Sequence, residues 1–236
     1  RLRKGQILTA RKPSAFGQRF HRLRSEPLLK QAKFCAGCHQ FPFLKTLKNP
    51  AIPVATPSQN TWKEWKHSWS RKQGKTCQTC HMKQGSHIFP GARNLPFVRK
   101  AVSVSWKWLS KKRLRWTLTT RNIGHNFPTG DPFRRLQLRL CLDRECKQEV
   151  WRFFFRRVLI VRKGEVKTLY NLTLPTPVQR RERSTFSEVE LSQVYSQLHW
   201  QLLTIYADWK DRKTLKSSEF SQVVHKGLLK KSKSAK

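Results

Sequence analysis

The chain has 236 residues, of which 37% are hydrophobic, and it contains nine tryptophans and fourteen phenylalanines. This aromatic content argues against a disordered chain, and no stretch approaches the run of about 18 apolar residues that a membrane-spanning helix needs. Fifty Lys and Arg residues against thirteen Asp and Glu give a formal net charge of +37, which favours a negatively charged partner over mere solubility.

The excess of positive charge is concentrated in the first part of the chain. Residues 1–130 contain 27 basic residues and only two acids, Glu26 and Glu64, which gives a net charge of +25. Residues 131–236 contain 23 basic and 11 acidic residues, which gives +12. Nucleic acid, anionic lipid and an acidic protein surface are the partner classes that such a field attracts.

The first regions of the chain carry weak or helical patterns. Residues 1–24 predict a basic arm, and the sequence Ser25-Glu26-Pro27 that follows it is typical of a helix start. After a proline-containing loop, Trp62, Trp65 and Trp69 recur at spacings of three and four, which predicts one face of a helix. Residues 25–96 are therefore expected to form a helical region.

The pattern changes to strands after Pro96. Stretches such as RLRWTLTTRN and RRLQLRLCL alternate apolar and polar residues, with turn residues between them. Six or seven such strands predict an antiparallel β-sandwich-like domain over residues 97–210. Residues 211–236 are expected to form a basic C-terminal tail.

Six cysteines fall into three pairs, and the first two pairs share a five-residue pattern. Cys35 and Cys38 lie in CAGCH, and Cys77 and Cys80 lie in CQTCH. A CxxC pair alone is compatible with zinc, thiol redox chemistry or haem attachment. A histidine directly after the pair supplies an axial imidazole beside two thioether bonds. The repeat therefore predicts two covalently attached haem c groups, with His39 and His81 as proximal iron ligands.

Zinc is the main alternative for these four cysteines. One four-thiolate site would need the two pairs to come together across a gap of 38 residues, which is longer than the common ribbon spacing. It would also leave both histidines without a role. A dithiol redox centre is less favoured again, because neither pair follows a βαβ pattern.

The distal iron ligands must come from elsewhere in the chain. Met82 directly follows His81, so it cannot reach the other face of that haem, and bis-histidine ligation or an open iron remains. His87 in GSHIFPG and His125 in NIGHNFPTG are the favoured candidates, because each precedes a Phe-Pro turn. His21 and His67 are weaker candidates. His199 is expected to be structural, and His225 to be solvated in the tail.

The third pair, Cys141 and Cys146, flanks a four-residue loop between two strand-like stretches. Residues at these positions of a hairpin can approach closely enough to bond, so we expect a disulfide. Two buried or free thiols are the alternative.

Four segments together resemble a family of bacterial multihaem c-type cytochromes. They are FCAGCHQF, TWKEWKHSW, CQTCHMKQGSHIFPGA and NIGHNFPTGDPFRRL, and they cover roughly residues 25–140. The resemblance implies an α+β fold in which a small helical dihaem-binding region precedes the β-domain, whose GHxxPTG turn supplies a distal histidine. It matches His39 and His81 to proximal ligands, and His87 and His125 to distal ones. Relatives often have a second histidine where this chain has Arg93.

These observations predict a dihaem c-type cytochrome that transfers electrons between redox partners. The basic field would dock it on an acidic redox protein, within a membrane-associated complex or on an anionic membrane surface. Nucleic acid is the least favoured partner, because haem attachment and a disulfide both imply an extracytoplasmic location such as the periplasm. The alternative function is a haem enzyme in which one open iron acts on a small inorganic substrate.

Overall fold

The computed structural model describes residues 7–9, 23–42, 57–83, 89–162, 165–171, 173–175, 177, 181–206 and 213–231. Most of the predicted basic arm lies outside these ranges, as do the candidate ligands His21 and His87. Within them, short helices occupy the first part of the chain and strands dominate the second, so the fold is of the mixed α+β class. Among the described residues, no helix has the length and apolar character to span a bilayer.

The helices of the described residues are short. A 3-10 turn over Pro27–Lys30 precedes helix α1, and five more α-helices follow. Their bounds are α1 Ala32–His39, α2 Thr61–Lys66, α3 Trp69–Lys72, α4 Cys77–His81, α5 Leu95–Ala101 and α6 Ser217–Phe220.

Two expected helices are interrupted by extended residues. The start predicted at Ser25-Glu26-Pro27 produces only the 3-10 turn, because Gln31 is extended before α1 begins. The tryptophan-bearing segment divides at Ser68, whose hydroxyl accepts a hydrogen bond from the Arg71 N–H and so starts α3. Trp69 therefore belongs to a different helix from Trp62 and Trp65.

Thirteen strands are formed within the described ranges. They are β1 Ile7–Thr9, β2 Leu23–Ser25, β3 Phe41–Pro42, β4 Pro57–Gln59, β5 Val102–Trp108, β6 Arg113–Arg121, β7 Arg135–Cys141, β8 Glu149–Phe155, β9 Arg157–Arg162, β10 Glu165–Asn171, β11 Glu182–Glu190, β12 Gln197–Ile205 and β13 Ser221–Lys230. One antiparallel sheet has the order β11-β6-β5, and another has the order β13-β12-β7-β8. The remaining strands form two-stranded pairs, of which only β1 with β2 is parallel.

The core lies between the three-stranded and the four-stranded sheet. Strand β6 alternates buried and more exposed residues along its length, as expected for a strand with one face on a core. Buried residues from both sheets form one cluster: Val102, Leu114, Trp116, Leu118, Leu136, Leu138, Leu140, Leu198, Leu202 and Val224. The two sheets have a sandwich-like arrangement because they share this core, to which β13 also contributes.

The C-terminal part departs from the sequence prediction. Residues 221–230, expected within a basic tail, form strand β13 and pair along β12. The reason is that Val224 is buried in the common core, while basic residues such as Lys226 and Lys230 alternate outward. His225, expected to be solvated, has its Nε2 2.7 Å from the Val102 carbonyl oxygen.

A helix joins the first part of the chain to the sheets, and a disulfide closes a loop between two strands. Helix α5, which sequence patterns did not predict, spans the expected boundary at residue 96 and leads directly into β5. Cys141, the last residue of β7, forms a disulfide with Cys146 in the following loop, and their Cα atoms are 5.1 Å apart.

Candidate functional site

The two CxxCH motifs lie on neighbouring helices. Helix α1 carries Cys35, Cys38 and His39, and α4 carries Cys77, Cys80 and His81. The first thiols of the two motifs, Cys35 and Cys77, lie close enough for their side chains to interact. This contact lowers the pKa of Cys35 to about 7 and, with burial, raises the pKa of Cys77. Segments far apart in sequence thus present their cysteines side by side.

A buried glutamine inside the second motif connects the two helices. Gln78, the residue after Cys77, is 1% exposed. Its Nε2 donates to the Leu29 carbonyl at 3.0 Å and to the Gln31 carbonyl at 2.8 Å. These carbonyls lie just before α1, where the interrupted backbone leaves acceptors available. The spacing between the motifs is therefore set by a side chain that CxxCH patterns leave unspecified.

The imidazole of His81 faces a second imidazole from the β-domain. The ring centroids of His81 and His125 are 6.3 Å apart, and the ring planes are 17° from parallel. His125 lies in the turn between β6 and β7, so the pair joins the helical region to the sandwich. The sequence singled out both residues, and the structure brings them together.

The hydrogen bonds of these two rings engage Nδ1 and leave Nε2 of each ring available to bind a metal. His81 Nδ1 lies 2.7 Å from the Pro90 carbonyl oxygen, and His125 Nδ1 lies 2.8 Å from the Asn126 carbonyl oxygen. A carbonyl oxygen can only accept, so each Nδ1 carries the proton and each Nε2 keeps a lone pair. Desolvation lowers the pKa of His125 to about 4, so its ring is neutral at pH 7.

The His125 turn is held against helices α2 and α3. Glu64 Oε2 accepts a hydrogen bond from the Asn126 N–H at 3.1 Å and another from the Thr129 hydroxyl at 2.7 Å. A Cβ on Gly124 would lie 3.0 Å from Ser70 Cβ, so the close approach of turn and helix leaves little room for a side chain there. Burial raises the pKa of Glu64, although Thr129, Asn126 and Arg157 act in the opposite direction.

The other candidate histidines are not brought to a second imidazole by any ring contact among the described residues. His39 is exposed, and its Nδ1 lies 3.1 Å from Gln59 Oε1. His67 is also exposed, with Nδ1 2.8 Å from the Lys63 carbonyl oxygen. His199 lies in strand β12, as expected for a structural residue. Met82 is 6% exposed at the end of α4.

The donor set suits a haem better than zinc. In the described ranges, no three His, Cys, Asp or Glu side chains are grouped to hold a metal ion, so the four-thiolate zinc site is not formed there. A six-coordinate haem iron needs only two protein ligands. Two metal–nitrogen bonds of about 2.1 Å and imidazole radii of roughly 1.15 Å would separate two ring centres by about 6.5 Å. The separation of His81 and His125 fits this value.

Several residues that support the site carry no motif and were not predicted. They are Gln59, Gln78, the Pro90 carbonyl and Glu64. For Glu64 a signal was present, because it is one of only two acids in residues 1–130. The structure uses Glu26 at the start of the 3-10 turn, where Oε1 accepts from the Leu28 N–H, and it uses Glu64 between α2 and the His125 turn.

Comparisons with known proteins give a likeness in structure but no sequence family. A penta-heme cytochrome c552 from Thermochromatium tepidum is similar in fold, with a TM-score of 0.64 and 21% sequence identity. The similarity covers 89% of this chain and 58% of the cytochrome, so the chain spans less than two thirds of that protein's length. No family model and no curated protein matches the sequence. The chain therefore has the fold of part of a multihaem c-type cytochrome.

Proposed function

We propose that this chain is a dihaem c-type cytochrome that transfers electrons. Cys35 and Cys38 would bind one haem c and Cys77 and Cys80 the other, with His39 and His81 as proximal ligands. His125 would be the distal ligand of the second haem. The observation that carries the proposal is the 6.3 Å separation of the nearly parallel His81 and His125 rings, each with Nδ1 on a backbone carbonyl.

The neighbouring residues suit this role. The Pro90 and Asn126 carbonyls fix the tautomer of each ring, which is the usual function of groups next to metal-bound imidazoles. Neutral His125 needs no deprotonation before it binds a metal at pH 7. When bound here, haem iron supplies one-electron chemistry. Because Cys35 contacts Cys77, the chain would hold its two redox groups close together, which favours transfer between them.

Haem content tests this proposal directly. We expect two covalently bound haems per chain in a pyridine haemochrome assay, and haem staining that survives denaturing electrophoresis. The variant with Cys77→Ser and Cys80→Ser should keep one covalently bound haem per chain. A chain that carries zinc, or no covalent haem after expression with a haem-attachment system, would exclude the proposal.

A second candidate function, a haem enzyme with one open iron, is favoured by the surroundings of His39. This ring is exposed, and within the described residues no imidazole forms a ring contact with it. An iron held by His39 alone would bind carbon monoxide in the reduced wild-type protein. One carbon monoxide per chain would support this function, and none would support ligation of both irons on both sides, with His67, His21 or His87 as candidates.

The partner that we propose is an acidic redox protein, alone or as part of a membrane-associated complex. Among the described residues, Glu182 pairs with Arg121 and Glu188 pairs with Arg113 and Arg115 on the sandwich. Around the cysteine motifs, by contrast, Lys30, Lys33, Lys63, Lys66 and Lys72 are exposed. Because of this charge, we expect electron transfer to be faster with anionic than with cationic small redox reagents. Added salt should reduce the difference between the two rates.

The location that we propose is extracytoplasmic. Covalent haem attachment and the Cys141–Cys146 disulfide both belong to an oxidising compartment. Fractionation of the native host, with periplasmic and membrane markers, tests this assignment.

A further inference from the structure

Glu64 makes a connection between α2 and the His125 turn that sequence motifs do not indicate. A single carboxylate oxygen, Oε2, accepts from the Asn126 N–H at 3.1 Å and from the Thr129 hydroxyl at 2.7 Å. Thr129 also has its hydroxyl 2.8 Å from the Thr61 hydroxyl, at the start of α2. Three hydrogen bonds thus join one turn of helix to both ends of the segment Asn126–Thr129.

The residue that Glu64 holds is the residue that orients His125. The Asn126 N–H belongs to the peptide group that directly follows His125, and the Asn126 carbonyl oxygen lies 2.8 Å from His125 Nδ1. Glu64 therefore fixes the backbone on which the imidazole is carried, and that backbone fixes the tilt of the ring. The effect is transmitted through Asn126.

Two kinds of contact hold the turn against the helices, one on each side of His125. Gly124 lies against Ser70 and Trp65, so the turn approaches the helices on one side of His125. On the other side, Glu64 provides the polar anchor. A partly buried N–H that loses its acceptor pays a desolvation penalty, which the turn can avoid by moving toward solvent. Such a movement would carry His125 away from His81.

We propose that Glu64 is a positioning residue that keeps His125 within reach of the iron bound by His81. This inference rests on the proposed axial pairing of those two histidines. It concerns the hydrogen bonds that Glu64 accepts, and not its charge, because both bonds go to one oxygen. A glutamine whose Oε1 occupies the same place could accept both.

The test compares four variants of the full haem-loaded chain: Glu64→Ala, Glu64→Gln, His125→Ala and Glu26→Ala. The readouts are the low-spin ferric spectrum and the carbon monoxide bound per chain in the reduced state. His125→Ala should lose one low-spin haem and bind one more carbon monoxide than the wild type. Glu64→Ala should show the same change in part, Glu64→Gln should restore the wild-type spectrum, and Glu26→Ala should match the wild type.

Several results would overturn the inference. A wild-type spectrum in Glu64→Ala would show that the turn needs no anchor there, while the change in His125→Ala would leave the axial pairing standing. If Glu64→Gln lost the low-spin haem as fully as Glu64→Ala, the charge would be responsible. An unchanged His125→Ala would remove the axial pairing and this inference together.

Folding is controlled separately. Thermal unfolding followed by far-ultraviolet circular dichroism identifies a variant that is simply destabilised. If Glu64→Ala does not fold, Thr129→Val removes the hydroxyl's bonds to Glu64 and to Thr61 and leaves the Asn126 bond to Glu64 in place. This variant should bind an intermediate amount of carbon monoxide, and a wild-type amount would contradict the inference.

Discussion

His81 and His125 lie with their ring centroids 6.3 Å apart, although one belongs to helix α4 and the other to a turn between two strands of the sandwich. A metal site built on both rings therefore requires the helical region and the β-domain to be docked. The β-domain also reaches the His81 side, because the Tyr206 hydroxyl donates to the Ala92 carbonyl at 2.8 Å, close to Pro90. The two regions act as one structural unit around this pair.

Replacing His125, the proposed distal ligand, should shift the reduction potential of its haem. In His125→Met a thioether replaces the imidazole, and methionine ligation raises the reduction potential of haem iron. We expect the reduction potential of one haem to rise by on the order of 100 mV. Axial ligands span a range of about 0.8 V, and this shift lies within it. Spectroelectrochemical titration measures it, with His199→Met as a control on strand β12. Identical reduction potentials in His125→Met and the wild type would count against His125 as a ligand.

Removing a hydroxyl near His81, the proposed proximal ligand, should have a smaller effect on the reduction potential of the same haem. Tyr206→Phe deletes the bond to Ala92, so the segment that supplies the Pro90 carbonyl to His81 is held less firmly. A weaker Nδ1 hydrogen bond makes His81 a poorer electron donor to iron. We expect a positive shift on the order of 10 mV. Tyr195→Phe, in a tyrosine that packs against the core, should leave the potential unchanged.

The bridge between the two motifs should contribute to stability. Gln78→Met keeps the side-chain length but removes the donor to Leu29 and Gln31, which leaves two carbonyls without that partner. We expect the free energy of unfolding to fall by about 2–3 kcal/mol. Chemical denaturation measures this loss, and Gln73→Met at an exposed helix end should cost little. A difference below about 0.5 kcal/mol between the variants would contradict the bridging role.

The partly buried carboxylate of Glu64 predicts that the stability of the protein depends on pH with a definite sign. Burial raises the pKa of Glu64 above its ordinary 4.5, so the folded state binds the proton more tightly than the unfolded state does. Wild-type stability from this group is highest at low pH and declines as pH rises from 4.5 through the raised pKa. Glu64→Gln should remove the decline, so the stability difference between variant and wild type should grow in favour of the variant over that interval. Unfolding measured from pH 4 to 8 checks this, and a difference of constant size would refute it.

The CxxCH repeats could be read from the sequence because covalent haem attachment imposes a local pattern of residue types. The alternation of RLRWTLTTR likewise predicted a strand with one face on a core, which is β6 in the structure. The interruption at Ser68 and the strand over 221–230 were missed. In both cases a local signal competed with a contact from elsewhere: Trp69 N–H bonds to the Pro177 carbonyl, and β13 completes the sheet beside β12.

The sequence by itself determined which residues have the chemistry for a haem site: four cysteines, their adjoining histidines and a histidine in a Phe-Pro turn. Only the tertiary structure decided that His125 meets His81, that Gln78 ties the two motifs together and that Glu64 anchors the turn. The reason is physical. Thioether attachment depends on neighbours within one helical turn, whereas an axial pair is formed by segments whose relative position depends on the packing of the whole domain.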